Sequence, residues 1–227
     1  MGSDFEITVV AKTQKQADQQ IGIAIDEISR VEALISSWKP TSQTSSINKN
    51  AGIAPVKISG ELFSLIQRAI QISKLTDGAF DISYASMDRL WKYDGSMTQM
   101  PSKEAIKKSV AKVGYKSIVL DAKNSTVFLK NKGMKIGFGA IGKGYAADKA
   151  KKLLISNGVS GGIINASGDI NSWGSKPNGS PWQVAITNPL NKNKAFAMLP
   201  IKDAVVTSGN YEKYVTFNSR RYSHIID

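Results

Sequence analysis

The order of helix-like and strand-like segments along the chain is the feature that most restricts its fold. Apolar residues recur at three- and four-residue steps in segments 14–38, 60–75, 102–113 and 142–156. From residue 161 to the end, the chain consists of short strand-like runs separated by turn residues. Because helices and strands do not alternate regularly, the pattern argues against a doubly wound parallel sheet. We predict an α+β fold, a mostly antiparallel sheet or sheets with packed helices, in a single domain over residues 1–227.

The first and last helix-like segments each carry an apolar stripe that is expected to face a core. The first stripe consists of Ile21, Ala24, Ile25, Ile28, Val31, Ile35 and Trp38. The last consists of Ala146, Ala150, Leu153 and Leu154. Residues 39–52 are rich in Ser, Thr, Asn and Gly and include a proline, which predicts a loop or a run of turns.

Strand-like alternation marks one segment at the N-terminus and several more in the second half of the chain. Residues 4–11 alternate apolar and polar positions, and residues 117–130 have the pattern of a hairpin. Residues 134–139 are predicted to form a third strand beside that hairpin. Seven further short strands are predicted after residue 160, the first in "GGIINAS" and the last in "RYSHIID".

The glycine-rich segment "MKIGFGAIGKGYAADKA" (134–150) matches two nucleotide-binding patterns, each incompletely. Gly137 to Gly142 spell the dinucleotide fingerprint, but the acidic residue that should follow the next strand comes only at Asp169. The spelling that ends at Lys143 resembles a phosphate-binding P-loop, but Gly144 stands where that loop needs a hydroxyl for magnesium. What remains is a strand-to-helix turn that either packs closely or binds an anion, and the segment alone does not separate the two.

Four other segments combine polar side chains with turn residues. They are "TDGAFDIS" (76–83), "NASGDINSWG" (165–174), "AVVTSGNYEKY" (204–214) and "RRYSHIID" (220–227). The last of them contains His224, the sole histidine of the sequence. Each segment alone is more often a turn than a site, but the five together favour a functional interpretation.

Composition restricts the function further. The 227 residues include no cysteine, which excludes disulfides, thiolate nucleophiles and zinc–thiolate sites and fits an exported protein. The net charge of +12 comes from lysines scattered over amphipathic segments without a basic stripe interleaved with aromatic residues. This distribution indicates solvated helix faces and no nucleic-acid partner, although it is compatible with anionic ligands. The sequence shows neither a transmembrane segment nor a signal peptide.

Eight stretches, in the same order along the whole chain, resemble the flavin transferases known as the ApbE family, or FAD:protein FMN transferases. They are "MGSDFEITV", "SSWKPTSQTSSIN", "TDGAFDIS", "GAIGKGYAAD", "INASGDI" with "SWG", "PWQVAITNP", "VVTSGNYEKY" and "YSHIID". The resemblance implies a magnesium-dependent enzyme that splits FAD, transfers FMN to a Thr or Ser hydroxyl of a target flavoprotein and releases AMP. Implied targets are subunits of sodium-pumping NADH:quinone reductase (Nqr) or of Rnf complexes. The resemblance also implies an exported protein, periplasmic or anchored as a lipoprotein.

Two alternatives stay open at this point. Some members of the family hydrolyse FAD to FMN and AMP, and a non-catalytic FAD-binding protein would share the same flavin contacts.

The resemblance also implies roles for particular residues. It places FAD contacts at Met1, Trp38, Ala79, Phe80, Asp81 and Lys143, and a metal contact at the main-chain carbonyl of Ala140. His224 would act at the reacting centre, where an imidazole can take the proton of the acceptor hydroxyl. Splitting a pyrophosphate requires its charge to be neutralised, which magnesium and Lys143 would do.

The sequence departs from the family pattern in two places. Gly137 stands where members usually have Asp, so one flavin or ribose contact is in doubt. Members also continue beyond "HIID" with a Pro-Arg-Thr-Gly turn and a segment that carries side-chain metal ligands. On that basis we expect this polypeptide alone to bind magnesium weakly and to show little transferase activity.

Overall fold

The computed structural model describes residues 2–188, 191–207 and 214–225. Its α-helices are α1 (Gln14–Ile35), α2 (Gln43–Lys49), α3 (Gly60–Leu75), α4 (Lys103–Val110) and α5 (Gly142–Ser156). Its strands are β1 (Phe5–Val9), β2 (Val56–Lys57), β3 (Ile118–Asp121), β4 (Thr126–Leu129), β5 (Gly162–Ala166), β6 (Asp169–Trp173), β7 (Trp182–Asn188), β8 (Asn191–Ile201), β9 (Ala204–Val206), β10 (Tyr214–Phe217) and β11 (Arg220–Ser223). All pairs between these strands are antiparallel, which confirms the predicted α+β class. In the part of the chain that the structure describes, no helix is both long and apolar enough to span a membrane.

The chain divides into two compact units, each assembled from separate parts of the sequence. The first unit comprises residues 1–32 and 141–208, and the second comprises residues 33–140 and 209–227. The sequence therefore passes from one unit to the other and back. A single domain over residues 1–227 stays a prediction.

The first unit contains a four-stranded sheet with the order β1-β5-β6-β9 and the separate hairpin β7–β8. Helix α5 contacts β5 and β6. The core of this unit consists of Ala24, Ala147, Ala150, Leu154, Val159, Ile164 and Trp173. The Trp173 indole donates to the Val159 carbonyl at 2.9 Å, so the largest core side chain is also satisfied as a donor.

The second unit contains a three-stranded sheet with the order β2-β4-β3 and the hairpin β10–β11. Its fully buried large side chains include Ile47, Leu62, Ile66, Ile82, Leu129, Met134 and Ile136. Helix α3 has its predicted boundaries, because the Ser59 hydroxyl accepts the Leu62 N–H as an N-cap and Gly60 begins the helix.

Two sequence predictions about the second unit are wrong. Residues 39–52 contain α2, which begins after Ser42, whose hydroxyl caps the N–H of Ser45. Residues 134–138 form no strand in the described structure, and the hairpin's third strand is instead β2. The N–H and C=O groups of Lys135 bond the Ser86 hydroxyl, so side chains replace the missing strand partner.

The first helix ends three residues earlier than predicted. The Ser36 hydroxyl accepts the N–H groups of Trp38 and Lys39, at 3.2 and 3.1 Å, which turns the chain out of the helix before Pro40. Of the predicted stripe, Ala24, Val31 and Ile35 are buried, whereas Ile25 is 51% exposed. In α5 the predicted stripe is largely confirmed, although Leu153 is only half-buried and Ala147 takes part in the core.

Candidate functional site

A cavity of about 890 Å³ opens in the second unit, a volume within the range of small-molecule sites. Its lining is rich in aromatic side chains, namely Trp38, Tyr84, Trp91, Tyr93 and Phe138. Among the residues that the structure describes, three cationic side chains, Lys49, Arg89 and Lys135, also line it, against one carboxylate, that of Asp88. Flat apolar faces combined with net positive charge suit a ligand that carries aromatic rings and an anionic group.

Trp38 lines this cavity with an exposed ring, and a hydrogen bond holds its main chain in place. Its N–H is held by the Ser36 hydroxyl, yet the residue is 76% exposed. The guanidinium carbon of Arg89 lies 4.7 Å from the ring centroid, which is cation–π distance. A large aromatic ring left open to solvent in a cavity is a typical ligand-stacking surface.

His224 reaches the same cavity from the end of β11. Its ring is edge-on to that of Tyr93, with centroids 6.3 Å apart and planes 79° apart. The Tyr93 hydroxyl donates to the Ser223 carbonyl at 2.9 Å, and Trp91 stacks on Tyr222 with centroids 5.6 Å apart. These contacts join β11, which directly precedes His224, to residues 91–93.

The first part of the glycine-rich segment forms another wall of the cavity. The Gly137 N–H donates to the Ile82 carbonyl at 2.9 Å, and the Gly139 N–H to the Tyr84 hydroxyl at 3.1 Å. A Cβ atom at Gly137 would lie 3.0 Å from that of Ala85, and one at Gly139 only 2.4 Å from the Tyr84 hydroxyl. These two glycines therefore serve close packing. Burial raises the pKa of Tyr84 above that of an ordinary tyrosine, and the Gly139 N–H acts in the opposite direction.

The three consecutive residues with predicted FAD contacts, Ala79, Phe80 and Asp81, lie immediately before the short 3-10 helix Ile82–Ser86. One carboxylate oxygen of Asp81 accepts the N–H and hydroxyl of Ser83, both at 2.7 Å, and the other accepts the Tyr115 N–H at 2.7 Å. Asp81 thus caps this helix and ties it to a neighbouring turn. The three residues do not line the cavity. Their contacts with FAD stay predictions.

Lys143 and Ala140 lie near the start of α5. The Lys143 ammonium donates to the Ser167 carbonyl at 3.2 Å and lies 3.4 Å from an Asp169 carboxylate oxygen, both in the first unit. Ala140 is exposed in the turn before the helix, in the second unit. The predicted contact of its carbonyl with a metal stays a prediction, as does the FAD contact of Lys143. Met1 lies outside the described residues.

The described residues do not supply a side-chain set for a metal ion. Among them, no three or more His, Cys, Asp or Glu side chains come together in a way that could hold one. A main-chain carbonyl such as that of Ala140 suits magnesium as one ligand, but octahedral coordination needs several oxygens. We therefore assign no catalytic step to magnesium.

Sequence reasoning missed most of the aromatic lining. Trp91 and Tyr93 lie in "LWKYDG", where aromatic residues alternate with charged ones outside any helix or strand, and that signal could have been used. Arg89 and Tyr84 carry no local signal, because only the folded chain places them beside Trp38 and Gly139.

Comparison with known proteins agrees with this architecture. The model of the ApbE family matches residues 1–227. An FAD:protein FMN transferase from Klebsiella pneumoniae (strain 342) is 32% identical over 202 residues, which cover 88% of this chain and 62% of that protein. One from Escherichia coli (strain K12) is 28% identical over 228 residues, 98% of this chain and 61% of that protein. The chain thus spans about three fifths of the length of these curated relatives.

Solved structures give the same result for the fold. The crystal structure of an ApbE protein from Thermotoga maritima matches with a TM-score of 0.87 and 30% identity, over 100% of this chain and 73% of that one. The flavinyl transferase ApbE of Pseudomonas stutzeri, in its apo form, matches with a TM-score of 0.82 and 26% identity, over 99% and 70%. The resemblance of the sequence is confirmed, and the chain belongs to the ApbE family.

Proposed function

We propose that this chain binds FAD and acts as a magnesium-dependent FAD:protein FMN transferase. The observation that carries the proposal is that Trp38 and His224, distant in sequence, line one cavity with aromatic and cationic walls. The names of the relatives, FAD:protein FMN transferase, support the same activity. The reaction transfers FMN from FAD to a Thr or Ser hydroxyl of a target protein and releases AMP.

The cavity lining suits the two chemically different parts of FAD. The exposed face of Trp38 offers a stacking surface for a flavin or adenine ring. Lys49, Arg89 and Lys135 make the cavity positive, which favours the pyrophosphate. Lys143 is the predicted further phosphate contact.

The proton transfer is assigned to His224. The hydroxyl oxygen of the acceptor attacks the phosphorus of the FMN half, and its proton passes to the imidazole. The bond from that phosphorus to the bridging oxygen breaks, and the bridging oxygen leaves with AMP. The edge contact with Tyr93 and the anchoring of Ser223 fix the position of the ring.

Magnesium belongs to the proposal through the family relationship. When bound, it would neutralise charge on the pyrophosphate. Calorimetric titration with MgCl₂, with and without bound FAD, tests whether this chain holds the ion. We expect weak binding, because the described residues offer no carboxylate cluster.

Three assays separate the possible activities. FAD binding is measured from quenching of flavin fluorescence, AMP release by chromatography, and flavin transfer by mass spectrometry of an acceptor protein with a flavinylation Thr. AMP release that requires the acceptor, with a mass gain of FMN on it, supports the transferase. Equal AMP release without an acceptor indicates an FAD pyrophosphatase, and bound FAD without AMP indicates a non-catalytic carrier. Absence of FAD binding overturns the proposal.

Acceptor and location are part of the same proposal. Flavoprotein subunits of Nqr or Rnf complexes are the proposed acceptors, and an exported, periplasmic or membrane-anchored location is proposed with them. The ground for both proposals is the membership of the ApbE family. Fractionation of the native host with an antibody against this chain tests the location.

A further inference from the structure

The turn that joins β5 and β6 faces the first turn of helix α5. Ser167 and Gly168 form this two-residue turn with φ values of +50° and +95°, and Ala166 pairs with Asp169 across it. Two central residues with positive φ are typical of the tightest hairpins. The turn therefore presents the Ser167 carbonyl and the Asp169 side chain at fixed positions.

Both groups of this turn contact the same ammonium group. The Lys143 Nζ donates to the Ser167 carbonyl at 3.2 Å and lies 3.4 Å from Asp169 Oδ1. Asp169 is 8% exposed, whereas the Lys143 side chain is 27% exposed. The other carboxylate oxygen would lie 3.7 Å from a Cβ atom at Gly144, so the carboxylate is packed against the helix backbone. A buried carboxylate thus holds a partly exposed cation.

We propose that Asp169 is a positioning residue, which together with the Ser167 carbonyl orients the Lys143 ammonium for a phosphate group of FAD. This inference rests on the proposed function. An ammonium group has three N–H donors, of which one bonds the Ser167 carbonyl, while the Asp169 carboxylate attracts the group as an ion pair. A further N–H is left for a ligand on the exposed side. A lysine stem is flexible, so fixing it before the ligand arrives reduces the entropy lost on binding.

A positioning role and a purely electrostatic role of Asp169 predict opposite changes in FAD affinity when the carboxylate is removed. A negative charge beside Lys143 repels a phosphate, so a purely electrostatic role means that Asp169→Asn tightens FAD binding. A positioning role means that the same substitution weakens it. The sign of the change therefore distinguishes the two roles.

The same helix offers a matched control pair. Lys151 Nζ lies 3.6 Å from an Asp203 carboxylate oxygen in the same unit. The Asp203 side chain is 91% exposed, and Lys151 also donates to Asn171 at 2.9 Å. Asp203→Asn removes the same charge from an ion pair of α5 without touching Lys143.

The binding experiment compares FAD with riboflavin, which lacks phosphate. We expect Asp169→Asn to raise the Kd of FAD about tenfold, the scale of a hydrogen bond to a charged group, and to leave the Kd of riboflavin unchanged. Lys143→Met should weaken FAD binding similarly, and the double variant should be no weaker than Lys143→Met alone. Asp203→Asn should leave both affinities unchanged. Tighter FAD binding, an equal loss for riboflavin, or additive effects in the double variant would overturn the proposal.

A second measurement is independent of FAD. In proton–nitrogen NMR spectra, the signal of a lysine ammonium group is visible when hydrogen bonds or ion pairs slow the exchange of its protons with water. We expect a Lys143 signal, assigned by its loss in Lys143→Arg, that disappears or shifts in Asp169→Asn and persists in Asp203→Asn. If the protein does not bind FAD but this signal depends on Asp169, the proposed function fails while the positioning stands. A signal that ignores Asp169, or no Lys143 signal at all, overturns the positioning itself.

Discussion

The side-chain amide of Asn48 takes the place of a neighbouring strand for Ile136. Its Nδ2 donates to the Ile136 carbonyl at 3.0 Å, and its Oδ1 accepts the Ile136 N–H at 2.8 Å. Ile136 is fully buried, so no water replaces these bonds. One side chain in α2 thereby holds in place the segment around Ile136, which forms a wall of the cavity.

Asn48→Ala should therefore destabilise the protein strongly. It leaves a buried N–H and a buried C=O without partners, and we expect the free energy of unfolding to fall by about 2–4 kcal/mol. Urea unfolding followed by circular dichroism measures the change. Asn50→Ala is the control, because the Asn50 side chain donates to the Ser46 carbonyl one turn away and not to a distant segment. A loss no greater than that of the control would contradict the bridging role.

Gly162→Ala should destabilise the first unit through a steric clash. A Cβ atom there would lie 2.4 Å from the Trp173 ring and 2.7 Å from the Thr8 carbonyl oxygen, inside a buried sheet. We expect a loss of about 1–3 kcal/mol in unfolding free energy. Gly22→Ala is the matched control, since its helical position has open space. That variant should gain about 0.5–1 kcal/mol from helix propensity, and equal effects of the two would refute the packing argument.

Tyr84 should make stability decrease at alkaline pH. Burial raises the pKa of Tyr84, so the folded chain holds this proton more tightly than the unfolded chain. Stability is intact below the ordinary tyrosine pKa of about 10 and falls as the pH rises above it. Tyr84→Phe should flatten the dependence of the urea midpoint on pH above about pH 10. The slope is the readout, because the variant also loses the bond from Gly139 at every pH; identical slopes would contradict the prediction.

Trp38→Ala should weaken FAD binding by removing the stacking surface. Stacking of a base on an aromatic side chain contributes roughly 1–3 kcal/mol, which predicts an increase in Kd of about 5- to 150-fold. Fluorescence titration measures it. Phe196→Ala is the control, because Phe196 is equally exposed at 76% but lies on the hairpin strand β8, outside the cavity lining. If both variants bind FAD alike, Trp38 is not a flavin contact.

His224→Gln should separate binding from chemistry. Loss of a general base typically costs about 10²–10⁴-fold in rate, so AMP release in the presence of MgCl₂ and acceptor should fall at least a hundredfold. FAD affinity should stay within about threefold, since the amide keeps a polar side chain of similar reach. Phe196→Ala, which leaves the cavity lining and the contacts of the imidazole in place, is the control. Activity retained by His224→Gln would remove the imidazole from the mechanism.

The fold could be predicted largely because its signals are local. Helices α3 and α5 were predicted with their observed bounds, because each has an apolar stripe and a local signal at one end. The N-cap Ser59 marks the start of α3, and Asn157–Gly158 marks the end of α5. Helix α2 was missed because its sequence, "QTSSINK", is mostly polar and shows no apolar stripe. Two of its buried residues, Thr44 and Ser45, are polar and form hydrogen bonds in the folded chain. The strand predicted at 134–139 is wrong because the backbone of Lys135 and Ile136 bonds the side chains of Ser86 and Asn48 instead of a neighbouring strand.

Part of the candidate site was accessible from the sequence in the same way. Trp38 and His224 were named by resemblance, and the structure shows that they line one cavity. The aromatic and cationic residues around them were not predicted, because each is unremarkable in its own segment. Asp169 lies in a segment rich in polar and turn residues, but nothing in that segment indicates its contact with Lys143.

The sequence by itself determined the α+β class, most helices and strands, and membership of the ApbE family, because these depend on local periodicity and on the order of short motifs. Only the tertiary structure decided which distant polar groups meet. The pairs Asn48 with Ile136 and Lys143 with Asp169, and the shared cavity of Trp38 and His224, depend on the path of the chain between them. Loops of many residues can close in many ways at similar entropic cost, so packing of the buried core selects the one arrangement that brings these residues together.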